Sequence, residues 1–200
     1  MGKLVVEELR FRKHGPFSFL VNAGECVGLT GPSGIGKTLM LRAIIDLDPH
    51  EGKVFVDDIE CNSVSAPEWR KMVGMLQAET QWWHDTVGEH MNNPPPELLQ
   101  RLGFDQDVLN WEVRRLSTGE KQRLGLVRVL CNFPKVLLLD EPTASLDVCN
   151  AEEVEKIIKE YMAANGAAVL WVAHDLDQLK RLCGRYFVME SEKELREIKL

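Results

Sequence analysis

Two features of the sequence predict an α/β fold with a mainly parallel core sheet. Gly31-Pro32-Ser33-Gly34-Ile35-Gly36-Lys37-Thr38 fits G-x-x-x-x-G-K-[ST], the loop that joins a strand to a helix around phosphate groups. Downstream, continuous apolar runs of strand length, residues 136–139 and 168–172, alternate with helical stripes. Such runs suit strands covered on both faces, and the alternation implies right-handed crossovers. Together these predict a P-loop NTPase core, with residues 1–200 forming one domain.

Taken in order, residues 4–11 and 17–21 read as two strands joined by a turn at His14-Gly15-Pro16, an antiparallel β-ribbon over the nucleotide core. Asn22-Ala23-Gly24 turns into the first core strand, residues 25–30, which runs into the loop. Leu39, Met40, Ala43, Ile44 and Leu47 repeat at helical spacing behind it, so phosphates would sit on a helix N-terminus. Backbone N–H groups must wrap round the phosphate oxygens, and side chains at Gly34 and Gly36 would block that approach. Lys37 can reach the β and γ phosphates, and the Thr38 hydroxyl can ligate the bridging Mg²⁺. Gly31, Pro32, Ser33, Gly34, Ile35, Gly36, Lys37 and Thr38 are therefore candidate nucleotide-binding residues.

A loop at residues 48–52 leads to a strand, 53–56, ended by Asp57-Asp58. Residues 72–76 form a short apolar strand ending at Gln77. Residues 79–116 change character. They hold Trp82-Trp83, the breaker run Asn92-Asn93-Pro94-Pro95-Pro96, and helical stretches at 97–102 and 108–115. This predicts a small inserted helical lobe, with the prolines as a stiff extended connector. Core pattern resumes at Gly119: Leu124, Val127, Leu130 and Cys131 share a helix face. Val154, Ile157, Ile158 and Tyr161 form a second stripe, stopped at Asn165-Gly166. Helix 176–182 and strand 186–189 follow, and the tail 190–200 reads as loosely held.

At 200 residues, 44% apolar and 28% charged, the chain can bury the core of an ordinary globular domain. A net charge of −7 and a pI near 5.3 argue against a nucleic-acid partner gripped over a broad basic face. No apolar run approaches the length of a membrane span. Residues 1–8 lack a signal core, and Val6 stands where a myristoylation signal wants Ser or Thr. The five cysteines are scattered, without a C-x-x-C pair, and are read as reduced thiols. These observations place the chain in the cytoplasm.

Asp140 and Glu141 end the central apolar run. A carboxylate there, beside a phosphate loop, can hold Mg²⁺, and the next one can accept a proton from the attacking water. His174 ends the second run in the same way and can hydrogen-bond a γ phosphate.

The ordered set Gly31 to Thr38, Gln77, Leu116-Ser117-Thr118-Gly119-Glu120, residues 136–141, Ser145-Leu146-Asp147 and His174 resembles an ABC-type ATPase domain over nearly the whole chain. The resemblance implies a head-to-tail sandwich of two copies with ATP and Mg²⁺ between them. It assigns Glu141 as catalytic base and His174 as its switch partner. Gln77 would touch Mg²⁺ and the attacking water, joining Thr38 and Asp140 around the metal. Ser117 and Gly119 would bind the γ phosphate held by the opposite copy, and Asp147 would couple the two sites. Three departures stand out. The family signature is commonly Leu-Ser-Gly-Gly-Gln, so Thr118 and Glu120 are expected to weaken closure without abolishing it. Lys13 stands where the family stacks an aromatic on adenine, leaving Phe11, His14 or Phe17 as substitutes. The stretch from Gln77 to Ser117 is short, so the lobe is trimmed.

Trp82 and Trp83 lie in the region that faces the membrane subunit in this family. They either form an aromatic socket for it or fill the lobe's own core. The expected function is ATP hydrolysis driving transport through separate integral membrane subunits, with the chain peripheral on the inner face of the cell membrane. The passage Ala168 to Asp175 and the brief lobe look most like Fet-type iron or metal exporter ATPases. The alternative is a soluble ABC ATPase that uses ATP as a conformational switch.

Overall fold

The chain, described here by a computed structural model over residues 2–200, folds around two sheets; Met1 lies outside the described residues. In chain order the first half holds β1 (Leu4–Phe11), β2 (His14–Val21), β3 (Cys26–Thr30), α1 (Lys37–Ile44), β4 (Glu51–Val56), β5 (Ile59–Glu60), α2 (Ala66–Met72) and β6 (Val73–Leu76). The second half holds α3 (Pro96–Arg101), α4 (Thr118–Leu130), β7 (Val136–Asp140), α5 (Val148–Asn165), β8 (Ala168–Val172), α6 (Leu176–Leu182), β9 (Arg185–Met189) and β10 (Leu195–Lys199). The core sheet runs β10-β9-β3-β8-β7-β6, parallel throughout except for the edge strand β10.

Every residue of β3, β7 and β8 is buried, as continuous apolar runs demand. Alternate side chains feed two cores. Leu138, Leu170 and Val172 pack with Leu4, Leu9, Met40 and Ile44, between the core sheet, α1 and the ribbon. Leu137, Leu139, Val169 and Trp171 pack on the other face with Leu124, Val127 and Ile158 of α4 and α5, and with the lobe. Gly166 closes α5 in the left-handed conformation, accepting the role the Asn-Gly pair predicted.

Five details differ from the sequence reading. The ribbon turns at Arg12-Lys13 and His14 already belongs to β2, because buried His14 and Phe11 stack at 4.9 Å and pull the pairing past Gly15. Strand 53–56 is the third strand of a four-stranded antiparallel sheet, β2-β1-β4-β5, so the ribbon is larger than read. Within the lobe, residues 108–115 are not one α-helix but parts of two 3₁₀ turns, Gln106–Asn110 and Val113–Arg115. The chain between them is pulled out by backbone bonds from Val87 to Trp111 (3.0 Å) and from Val113 to Asp85 (2.8 Å). The proline run does not stay extended: Pro96 is the first residue of α3, where its missing N–H costs nothing. Finally, the tail is held, since β10 pairs residue for residue with β9 from Leu195↔Met189 to Lys199↔Arg185.

One helix escaped the sequence reading. Ser65 and Glu68 form a capping box at the start of α2, with Ser65 N–H donating to Glu68 Oε2 at 3.0 Å and Pro67 in the first turn. Trp69 of α2 is fully buried and its indole N–H donates to the Ile44 carbonyl at the end of α1, 3.0 Å away. No helix among the described residues is long and apolar enough to cross a membrane. All five cysteines are free; only Cys149 is exposed.

Candidate functional site

The parallel strands deliver the candidate residues to one edge of the core sheet. Leu29 of β3 pairs with Val172 of β8, Asp140 of β7 with the same Val172, and Leu76 of β6 with Leu139. One step beyond those pairs stand Glu141 and Gln77, and two steps beyond stand Gly31 and His174. Carboxyl ends of parallel strands are where open α/β sheets hold ligands.

The phosphate loop is built on three glycines with positive φ, Gly31, Gly34 and Gly36. Gly34 (φ 76°) needs its freedom for the turn, while a Cβ on Gly36 (φ 109°) would also lie 2.6 Å from His14 Nε2. His14 supports the loop from beneath, its Nε2 being 3.0 Å from the Ile35 carbonyl. Lys37 opens α1 and donates to the carbonyls of Gly31 (2.9 Å) and Pro32 (3.0 Å), so its ammonium is held over the loop. Burial holds the Lys37 pKa below the usual lysine value, and the carboxylates of Glu141 and Asp140 oppose that shift.

Thr38 Oγ1 donates to Asp140 Oδ2 at 2.7 Å, joining helix and strand across the loop. Asp140 is only 2% exposed, and burial raises its pKa against the Thr38 bond that favours the anion. A hydroxyl and a carboxylate in contact are hard oxygen donors of the kind Mg²⁺ takes alongside waters and phosphate oxygens. Glu141 follows in the left-handed region (φ 50°), a strain of about 1–3 kcal/mol for a non-glycine residue that structures store at working sites. Its N–H donates to the Val172 carbonyl at 3.0 Å, and its Oε1 lies 3.0 Å from His174 Nε2. The two halves of the predicted pair thus meet.

Gln77 reaches the same edge but is tied by its backbone: its carbonyl accepts from Gln122 Nε2 of α4 at 3.3 Å. Ser117, Gly119 and Asp147 form a second group away from the loop. Ser117 caps α4, and Glu120 folds back on it, accepting from Ser117 N–H (2.8 Å) and Oγ (2.7 Å). Those bonds, the backbone one first, lower the Glu120 pKa. A Cβ on Gly119 would lie 3.2 Å from the Ser145 carbonyl, so the signature packs on the turn that carries Asp147. Asp147 in turn caps α5 through Asn150 N–H at 2.9 Å.

The expected stacking substitutes are corrected. Phe11, His14 and Phe17 are all buried, so none offers a free ring to a base. Lys13 is exposed and paired with Glu192, on a cleft of about 430 Å³ beside the loop that Arg12, Ile35 and Leu39 also line. The reading of the tryptophans as part of the lobe core holds for Trp82 and not for Trp83. Trp82 packs on the lobe core, whereas Trp83 is 67% exposed, with the Arg128 guanidinium over both rings at 4.8 and 5.1 Å. A polar network behind Glu141, formed by Thr143, Glu155 and Gln178, was missed from the sequence. Its signal was a glutamate, Glu155, beside the apolar stripe of α5.

A model of the ABC transporter family matches residues 15–144. The chain is 33% identical over 175 residues to the probable iron export ATP-binding protein FetA of Escherichia coli (strain K12), covering 81% of this chain and 78% of that protein. It is 32% identical over 190 residues to the tungstate uptake system ATP-binding protein TupC of Peptoclostridium acidaminophilum, covering 87% and 86%. Against the methionine import ATP-binding protein MetN 1 of Oceanobacillus iheyensis, 33% identical, it spans 56% of the relative's length. Among solved structures, a dimeric post-hydrolysis ATP-binding cassette bound to ADP and Pi superposes with a TM-score of 0.84 at 26% identity, over 100% of this chain and 99% of that one. On this family match, these relatives and the loop geometry above, the chain belongs to the ABC transporter family as an ATP-binding subunit.

Proposed function

We propose that this subunit hydrolyses ATP to drive transport through separate integral membrane subunits, working as a head-to-tail pair of copies from the inner face of the cell membrane. The observation that carries the reading is the coincidence, at adjacent strand ends, of the Lys37 loop, the Thr38–Asp140 contact at 2.7 Å and the Glu141–His174 contact at 3.0 Å. Lys37 and the loop N–H groups bind and orient the triphosphate. Thr38 and Asp140, with Gln77, hold Mg²⁺, which when bound offsets phosphate charge. Glu141 accepts a proton from the attacking water, and His174 fixes the carboxylate toward it. Ser117 and Gly119, at the N-terminus of α4, point at the triphosphate of the opposite copy, and Asp147 lies on the turn that links the two groups.

The dimeric relative with bound ADP and Pi supports pairing, and the transport names of the relatives support a membrane partner. Identity to iron, tungstate and methionine relatives is level at 32–33%, as expected if cargo is chosen by the membrane subunits. ATP turnover of the native chain against Glu141→Gln tests the chemistry. A loss of two orders of magnitude or more in kcat is expected; unchanged turnover would remove Glu141 from the reaction.

A further inference from the structure

Glu141 and His174 come from different strand ends: a turn separates Glu141 from α5, whereas His174 stands directly before the cap of α6. Something must hold their loops at one separation for the 3.0 Å contact to persist. The Gln178 side chain does this. Its amide nitrogen carries two hydrogens, and it meets two acceptors: Thr143 Oγ1 at 2.9 Å and Glu155 Oε1 at 2.8 Å. Thr143 is two residues beyond Glu141. Gln178 lies in the first turn of α6, whose cap, Asp175, directly follows His174 and accepts from Gln178 N–H at 3.3 Å. Gln178 and Glu155 are both buried, at 7% and 5% exposure. Glu155 completes its bonding by accepting from Arg181 of α6, at 2.7 and 3.2 Å. One amide therefore ties the Glu141 loop, the His174 loop and α5 together.

We infer that Gln178 is a positioning residue for hydrolysis, holding Glu141 and His174 in register through Thr143 and Glu155. This rests on the proposed roles of those two residues. The strut touches neither the phosphate loop nor Thr38, so it acts on turnover and leaves nucleotide binding alone. Glutamate would not replace it, because a second carboxylate would face Glu155 and lack the paired donors.

The test is steady-state ATP turnover of the full chain with Gln178→Leu, Thr143→Val and the double variant, with ATP binding measured separately. Expected is a kcat reduced about 10- to 100-fold, the range for partners that orient reacting groups, with KM and the ATP isotherm within twofold. The double variant should be no slower than the worse single variant, since both break one link. Thr143→Val is nearly isosteric and carries the same expectation if Gln178→Leu folds poorly. An unchanged kcat, additive losses, or equal losses in kcat and ATP affinity would overturn the inference. Glu141→Gln separates the two claims: if it abolishes turnover while the strut variants run normally, only the strut fails.

Discussion

Glu120 carries a full negative charge at a position where glutamine would cap α4 equally well. Its carboxylate takes both the N–H and the hydroxyl of Ser117, the group proposed to meet the opposite copy's γ phosphate. The sequence leads one to expect that Glu120 weakens closure; the structure adds that the serine hydroxyl is itself engaged. Replacing Glu120 by glutamine should keep stability within about 0.5 kcal/mol and remove a like charge of order 1 kcal/mol from the closing interface. The ATP concentration that half-saturates dimer formation should then fall about fivefold in a Glu141→Gln background, as read by light scattering. An unchanged or raised concentration would show the carboxylate to be a cap and nothing more.

Elements were legible where burial is two-sided or a motif fixes the backbone. β3, β7 and β8 announced themselves as unbroken apolar runs, and the loop from Gly31 to Thr38 placed α1. Within the lobe α3 was legible, but residues 108–115 were not, because residues 85–87 pair with 111–113 across the chain and override local helical spacing. α2 was missed because its only buried residue is Trp69, so it shows a cap and no stripe. At the site, Lys37, Thr38, Asp140, Glu141 and His174 could be read because their spacing follows strand ends. Thr143, Glu155 and Gln178 could not, since their meeting depends on how α5 and α6 cross. Two measurements check the element account. Leu138→Ala in the fully buried β7 should cost about 2–5 kcal/mol in urea unfolding. Ser65→Ala should cost only about 1 kcal/mol by removing the α2 cap.

Across the whole molecule, Arg185 fastens three segments drawn from the two sheets. Its guanidinium bonds Glu25 before β3 at 2.7 Å, the Leu20 carbonyl of the ribbon at 2.5 Å, and Glu197 of β10 at 3.1 Å. Burial pushes the Glu25 carboxyl up, but the bonds from Arg185 and Asn22 outweigh it and hold its pKa below the usual 4.5. A carboxyl with a depressed folded pKa adds stability above its unfolded value and loses it as pH falls through the folded one. Arg185→Ala should therefore be less stable than the native chain at pH 7, and the gap should narrow in the acid range below about 4.5. A gap independent of pH would mean that Arg185 works through packing alone.

The same scale holds the central claim, that two copies complete one reaction centre. Light scattering of Glu141→Gln with ATP and Mg²⁺ tests it most directly. The account predicts a stable dimer that forms only with ATP and disperses when Ser117 is also replaced by arginine. A variant that binds ATP tightly and stays monomeric at every concentration would contradict it.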